Sequence, residues 1–253
     1  MGPIAVSSIA FVTMLAGALV GSFLRSTLPK HHLADDAKDI FRLGAGLLGT
    51  IAALVLGLLI ASAKSSYDTQ TTQVQHLAAD LILLDRVLAQ YGPDARPARD
   101  LLRRAVDPAV KRIWSENSSA SARQGPFEAT AVGEEANAGI EQLVPQTEIQ
   151  RSLKARAIQF TMDITQTRLL LFEQADRAIP MPFLAVLIFW LAVIFMSFSL
   201  FSRPNPTIVI GLVLFALSAS AAIFLVLEMS QPFAGLMQIS SAPLQNALAP
   251  LSP

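Results

Sequence analysis

Four long stretches without a charged side chain limit how this chain can fold more than any other feature of its sequence. They comprise residues 4–24, 43–63, 182–201 and 207–227. Each has about the length that an α-helix needs to cross a hydrocarbon layer of about 30 Å. None has the polar face that a helix on the surface of a soluble protein would show. Because a segment in lipid must satisfy its own backbone hydrogen bonds, the pattern predicts four transmembrane α-helices and a multi-pass membrane protein.

The rest of the composition excludes several classes of function. Nineteen basic residues are balanced by nineteen acidic ones, so nucleic-acid binding has no electrostatic support. The chain contains no cysteine, which excludes disulfides, thiolate catalysis and cysteine-ligated metals. We find no glycine-rich phosphate loop and no nucleophile–base pair, and therefore predict neither an enzyme nor a cofactor. The four apolar stretches hold no ionisable side chain, which argues against ion-coupled transport.

The order of apolar and polar segments predicts an all-α protein with a helical extramembrane domain between the second and third spans. We expect a first transmembrane pair at residues 1–63 and the helical domain at residues 64–180. A second transmembrane pair at residues 181–227 is followed by a tail, residues 228–253, which packs on the domain. An even number of spans puts the N-terminus, the domain and the tail on the same side of the membrane.

Within the domain, apolar residues at helical spacing predict one long helix that continues the second span as far as Gly92-Pro93. A second helix is predicted at residues 96–114. Residues 115–139 lose this periodicity and are predicted to be a loop or a weakly helical connector. Thr147 and Gln150 form a capping-box pattern that should open another long helix, antiparallel to the first. In the tail, Phe233, Leu236 and Leu244 are predicted to be buried.

The second span carries a face of small residues, Gly49, Ala53, Gly57 and Ala61, spaced four apart. Such a face lets another helix backbone approach closely. Two interpretations are open: the face packs inside one subunit, or it packs around a symmetry axis or lines a narrow pore. Gly17 and Gly21 repeat the spacing once in the first span.

Leu54 and Leu58 would belong to the lining of such a pore, and Arg42 and Lys64 bracket the span. Several copies of the helix around an axis would place rings of positive charge at both mouths and concentrate anions there. The alternative is that Arg42 and Lys64 are ordinary flanking residues at the membrane surface.

A short charged segment between the first two spans contains potential metal ligands. These are His31, His32, Asp35, Asp36 and Asp39. Adjacent histidines point in different directions on most backbones, and no third ligand follows at a recognisable spacing. We therefore predict no metal site.

Two stretches resemble the bacterial bestrophin-like membrane proteins. They are LVLGLLIASAKSSYDTQ at residues 54–70, continued by ILLDRVLAQYG at residues 82–92, and LEMSQPFAGLMQISSAPLQNAL at residues 227–248. The resemblance implies a relation to the bestrophins, which are oligomeric anion channels with a pore on the second span and a helical cytosolic domain. The chain departs from them in having neither an acidic calcium-binding cluster nor an aromatic neck in the second span.

The residues and the resemblance together lead to two hypotheses for the function. The first is a homo-oligomeric ion channel or pore that favours small anions, in the inner membrane of the cell with its domain in the cytoplasm. The alternative is a non-conducting structural or sensory membrane protein that binds a partner through the helical domain. We expect the lipid bilayer as a partner and no nucleic acid.

Overall fold

A computed structural model describes residues 2–29, 35–114, 131–175, 181–202 and 205–248, and the regular elements in these ranges are all helical. The α-helices are α1 (Pro3–Thr27), α2 (Asp35–Tyr91), α3 (Arg96–Ile113), α4 (Ala131–Glu141), α5 (Glu148–Ala175), α6 (Met181–Phe201), α7 (Pro206–Met229) and α8 (Ala242–Leu248). Four of them, α1, α2, α6 and α7, are long and apolar enough to cross a membrane. The predicted all-α class with four such helices is confirmed.

The described residues form two compact units. The first, here called the membrane unit, comprises Met1–Ser66 and Ala178–Ser230. The second, here called the helical unit, comprises Tyr67–Arg177 and Gln231–Pro253. Helix α2 contributes residues to both units.

In the membrane unit, α1 packs against both α6 and α7. Met14 of α1, Leu187 of α6 and Ile223 of α7 are buried together in one apolar cluster. The hydroxyl of Ser220 in α7 donates to the Ser7 carbonyl oxygen in α1 at 3.0 Å, which satisfies a buried polar group inside this cluster. Asn205 precedes α7, and its side chain accepts from the Thr207 amide at 3.2 Å and caps the helix.

The sequence predicts a loop between the first two spans at residues 25–42, but α1 continues to Thr27 and α2 already begins at Asp35. No helix-breaking residue follows Pro29 in this segment, and Asp36 and Asp39 lie near the helix N-terminus, where negative charge is favourable. His31 and His32 lie outside the described residues.

The predicted long helix beyond the second span is confirmed, since α2 continues to Tyr91. Its apolar stripe is buried in the core of the helical unit at Val74, Leu77, Leu81, Leu84, Leu88 and Tyr91. Gly92 ends the helix with a φ of 116°, a conformation that side-chain-bearing residues rarely adopt.

The N-terminus of α5 has the predicted cap. The Gln150 amide donates to the Thr147 hydroxyl oxygen at 3.1 Å, and the Gln150 side-chain oxygen accepts from the Gln146 amide at 2.8 Å. The other side-chain atom of Gln150, Nε2, donates to the Tyr91 carbonyl oxygen at 3.2 Å. One residue therefore caps the start of α5 and joins it to the end of α2, as expected of an antiparallel pair.

For the last part of residues 115–139, the helical alternative is the correct one, because α4 begins at Ala131. Ala136 and Ile140 of α4 are buried four residues apart, and Gly139 lies against Ala98 of α3. Two apolar positions and one close contact are enough to hold this short helix, but they are too few to give a periodic signal in the sequence. Residues 115–130 lie outside the described residues.

The tail is anchored to α3 by one aromatic residue. Trp114 donates from its indole nitrogen to the Ile239 carbonyl oxygen at 2.7 Å, and its ring meets Phe233 edge-on with centroids 5.7 Å apart. Leu244 is buried and Phe233 is half-buried, whereas the prediction that Leu236 is buried is wrong, since it is 81% exposed. Leu236 follows Gly235, which turns the chain with a φ of 86°, and this turn carries Leu236 away from the core.

A largely buried ion pair joins α2 to α3. Arg99 donates from Nε and Nη2 to the two carboxylate oxygens of Asp85 at 2.7 and 2.8 Å, and Asp85 itself is buried. The hydrogen bond to Asp85 is the main cause that raises the pKa of Arg99 above its ordinary value. The pair is thus a bidentate contact of the strong kind.

We predict that Arg99→Ala destabilises the protein by about 3 kcal/mol, because it leaves the Asp85 carboxylate buried without its partner. Thermal denaturation of the detergent-solubilised protein measures the effect. Arg151→Ala is the control: Arg151 pairs with Glu148 in α5, but both side chains are mostly exposed, and such pairs contribute little. Equal losses of thermal stability in the two variants would contradict the prediction.

Candidate functional site

The apolar part of α2 is packed much less than the other three membrane helices. Only 6% of the residues in its most apolar window are buried, against 33% in α1, 33% in α6 and 17% in α7. The part that is packed is one narrow face, formed by Ala52, Leu56, Leu59 and Ala63. Most of the surface of this helix is therefore not packed against the described part of its own chain.

The residues predicted as a small face lie on one side of this exposed surface. Ala53, Gly57 and Ala61 are exposed and Gly49 is half-buried. A Cβ added at Gly57 would meet nothing within 4 Å, and one at Gly49 would only touch the Ile194 side chain at 4.0 Å. The described part of the subunit makes no close packing against this stripe.

The close packing that small residues permit occurs in α1 instead. A Cβ at Gly17 would lie 2.5 Å from the Ala192 carbonyl oxygen of α6, and one at Gly21 would overlap the Met196 carbonyl oxygen. Here the two helix backbones are in direct contact. The tight contact within the subunit is therefore made by Gly17 and Gly21, which repeat the spacing only once, and not by the longer stripe in α2.

Large apolar side chains form a second exposed stripe on α2. Leu47, Leu54 and Leu58 are 66%, 65% and 63% exposed, and Ile51 lies between them. At about 100° per residue, this leucine stripe points roughly opposite to the packed face. The small-residue stripe lies about a third of a turn from each of them. Leu54 and Leu58 are predicted from the sequence as pore-lining residues. Leu47 and Ile51 are not, although a helical projection places them on the same face.

Two cationic residues flank the apolar part of α2. Arg42 is exposed next to Phe41, whose ring packs on Phe201 of α6 with centroids 5.3 Å apart. Lys64 is exposed after Ala63, the last buried residue of the packed face. Between them no side chain is charged.

The described residues include no cluster of histidine, aspartate or glutamate side chains that could hold a metal ion. The candidates His31 and His32 lie outside these residues. A buried carboxylic acid, Glu228, lies at the end of α7.

Comparison with known proteins identifies a family and a fold. The family model described as Bestrophin-like domain matches residues 12–244. Crystal structures of two point mutants of a bacterial bestrophin homologue from Klebsiella pneumoniae are similar to this one, with TM-scores of 0.68 and 0.67. Each is 14% identical in sequence, over 98% of this chain and 97% of the other. No curated protein matches the sequence.

We predict opposite outcomes for the same substitution in the two glycine stripes. Gly21→Ala should destabilise the protein by about 1–3 kcal/mol, because the added methyl group forces the α1 and α6 backbones apart. Gly57→Ala, with nothing within 4 Å, should leave the fold unchanged. Thermal denaturation followed by circular dichroism in detergent measures both. A tolerated Gly21→Ala would mean that α1 and α6 are not held in direct backbone contact.

Proposed function

Since the chain belongs to the Bestrophin-like family, we propose that it is a homo-oligomeric membrane channel in which α2 of each subunit lines a passive ion pathway. The observation that carries the proposal is the unpacked surface of α2, with the leucine stripe facing away from the helix's own bundle. The fold shared with a bacterial bestrophin homologue supports it.

The directions of the two stripes suggest how the subunits are arranged. In a ring of subunits, the side of α2 that faces away from its own bundle points toward the axis, and the sides next to it meet neighbouring subunits. The leucine stripe then lines the pathway. The small-residue stripe, about a third of a turn away, contacts the next subunit, where close approach of backbones is what holds helices together in lipid.

The chemistry of the lining indicates how ions would be controlled. Leu54 and Leu58 give a narrow passage an apolar wall, and such a constriction is dry until it widens. No group in the span can take up or release a proton, so conduction is passive. Arg42 and Lys64, one at each end, favour anions by raising their concentration at the mouths.

We also propose a cellular location for the protein. We place the protein in the inner membrane with the helical unit in the cytoplasm, by analogy with the bestrophins. Arg25 at the end of α1, with Lys38 and Arg42 at the start of α2, would then lie on the outer side.

The oligomer is tested by enlarging one residue of the small-residue stripe. Gly57→Leu should reduce or abolish the oligomer in native mass spectrometry from mild detergent while the thermal stability of the subunit persists. Gly211→Leu in α7 is the control, because Gly211 also has nothing within 4 Å but lies outside the stripe. A wild-type protein that is monomeric, or an oligomer unaffected by Gly57→Leu, would argue against assembly through this face.

Conduction is tested in planar bilayers with asymmetric salt. Leu58→Ser should increase the basal current several-fold by wetting the constriction, and Arg42→Glu with Lys64→Glu should shift the reversal potential toward cation selectivity. Leu214→Ser, at a similarly exposed leucine of α7, should change neither quantity. If the wild type and all these variants are silent, the structural or sensory alternative replaces the channel.

A further inference from the structure

A groove in the membrane unit lies apart from the proposed ion pathway, between α1, α6 and α7. Its volume is about 260 Å³, and its walls are mostly apolar side chains such as Leu15, Leu19, Val209 and Leu212. This is somewhat less than the roughly 300–1,000 Å³ of pockets that enclose a whole drug-sized ligand. The groove can therefore hold part of a chain-like molecule.

One end of the groove is polar. Ser22 of α1, Ser199 of α6 and Ser202 just beyond α6 contribute to the lining there, at the level where α1 and α6 end and α7 begins. This end therefore lies at the membrane surface, and the apolar remainder lies within the hydrocarbon layer. An amphiphile with a polar head and an apolar chain matches this division.

Arg25 does not line the groove itself, but it brings a positive charge close to the polar end. It follows Ser22 by three residues on α1, so the two side chains lie on neighbouring positions of the helix surface. Its Nη1 is buried and has no hydrogen-bond partner among the described residues. An arginine that simply flanks a membrane helix keeps its guanidinium in water, and a buried donor without a partner is costly.

We propose that this groove binds an anionic phospholipid, with part of one acyl chain between α1 and α7 and the lipid phosphate on the Arg25 guanidinium. A phosphate oxygen would accept from the orphan Nη1, and the planar guanidinium suits phosphate better than an ammonium would. The serine hydroxyls at the same end can donate to the remaining phosphate oxygens. The proposal does not depend on conduction, because none of these residues lies on α2.

The affinity for two lipids with the same acyl chains tests the headgroup contact. Delipidated full-length protein in detergent is titrated with phosphatidylglycerol or phosphatidylcholine, and bound lipid is counted by native mass spectrometry alongside the thermal shift. We expect one tightly held phosphatidylglycerol per subunit, and Arg25→Gln should weaken it by about tenfold or more, to the level of phosphatidylcholine. Lys38→Gln, which removes a cation near the start of α2, should have no such effect.

The acyl-chain contact is tested by filling the groove. Val209 lines it and is 54% exposed, so Val209→Trp can occupy the groove without entering the core. This variant should lose binding of both lipids at this site, whereas Ile210→Trp on the adjacent position of α7 should retain it. If Arg25→Gln does not fold, Arg25→Lys replaces it. This variant keeps the positive charge but not the planar, bidentate guanidinium, and should show intermediate affinity.

Three results would overturn the proposal. The first is equal affinity for the two lipids in the wild type. The second is inorganic phosphate stabilising the protein as well as phosphatidylglycerol does, which would indicate a simple anion site. The third is unchanged lipid binding in Val209→Trp with a changed oligomeric mass, which would mean that a second copy of the chain covers the groove.

Discussion

The direct contact between the backbones of α1 and α6 is the constraint on which the membrane unit depends. Gly17 and Gly21 let the two helices approach until their main chains touch, and in lipid this kind of packing replaces the hydrophobic effect as the cohesive force. Ser220 joins α7 to α1 as well, so α1 packs against both α6 and α7. Helix α2 then touches them along a single face, which leaves the rest of its apolar surface unpacked by the described part of the chain.

The structure distinguishes a small-residue stripe that is packed within the subunit from one that is open. In the sequence the two have the same spacing and look alike. Glycines four apart show that a backbone can be approached closely, but they do not specify which helix approaches. The stripe in α1 is filled by α6, whereas the stripe around Gly57 in α2 is open in the subunit. Only the three-dimensional contacts decide between the two, because both stripes lie in equally apolar helices.

Elsewhere the sequence predicted the fold wherever a strong local signal existed. The apolar spans, the stripe from Val74 to Tyr91 and the cap at Thr147 each depend on neighbouring residues, and each is present in the structure. Helix α4 was predicted only as an alternative to a loop, because it is held by a contact with α3 through Gly139 rather than by its own pattern. The Asp85–Arg99 pair was not predicted for the same reason, since its partners come from different helices.

The candidate site was only partly accessible from the sequence, and the reason is physical. Leu54, Leu58, Arg42 and Lys64 follow from the span and its flanks, but which side of α2 is open depends on the packing of the other three helices. Arg25 illustrates the same dependence more strongly. In the sequence it is an ordinary flanking cation, and its significance comes from the groove beside it and from the donor that the fold has buried without a partner among the described residues. Charge at a membrane surface becomes specific recognition only when packing fixes its geometry and removes the water that would otherwise solvate it.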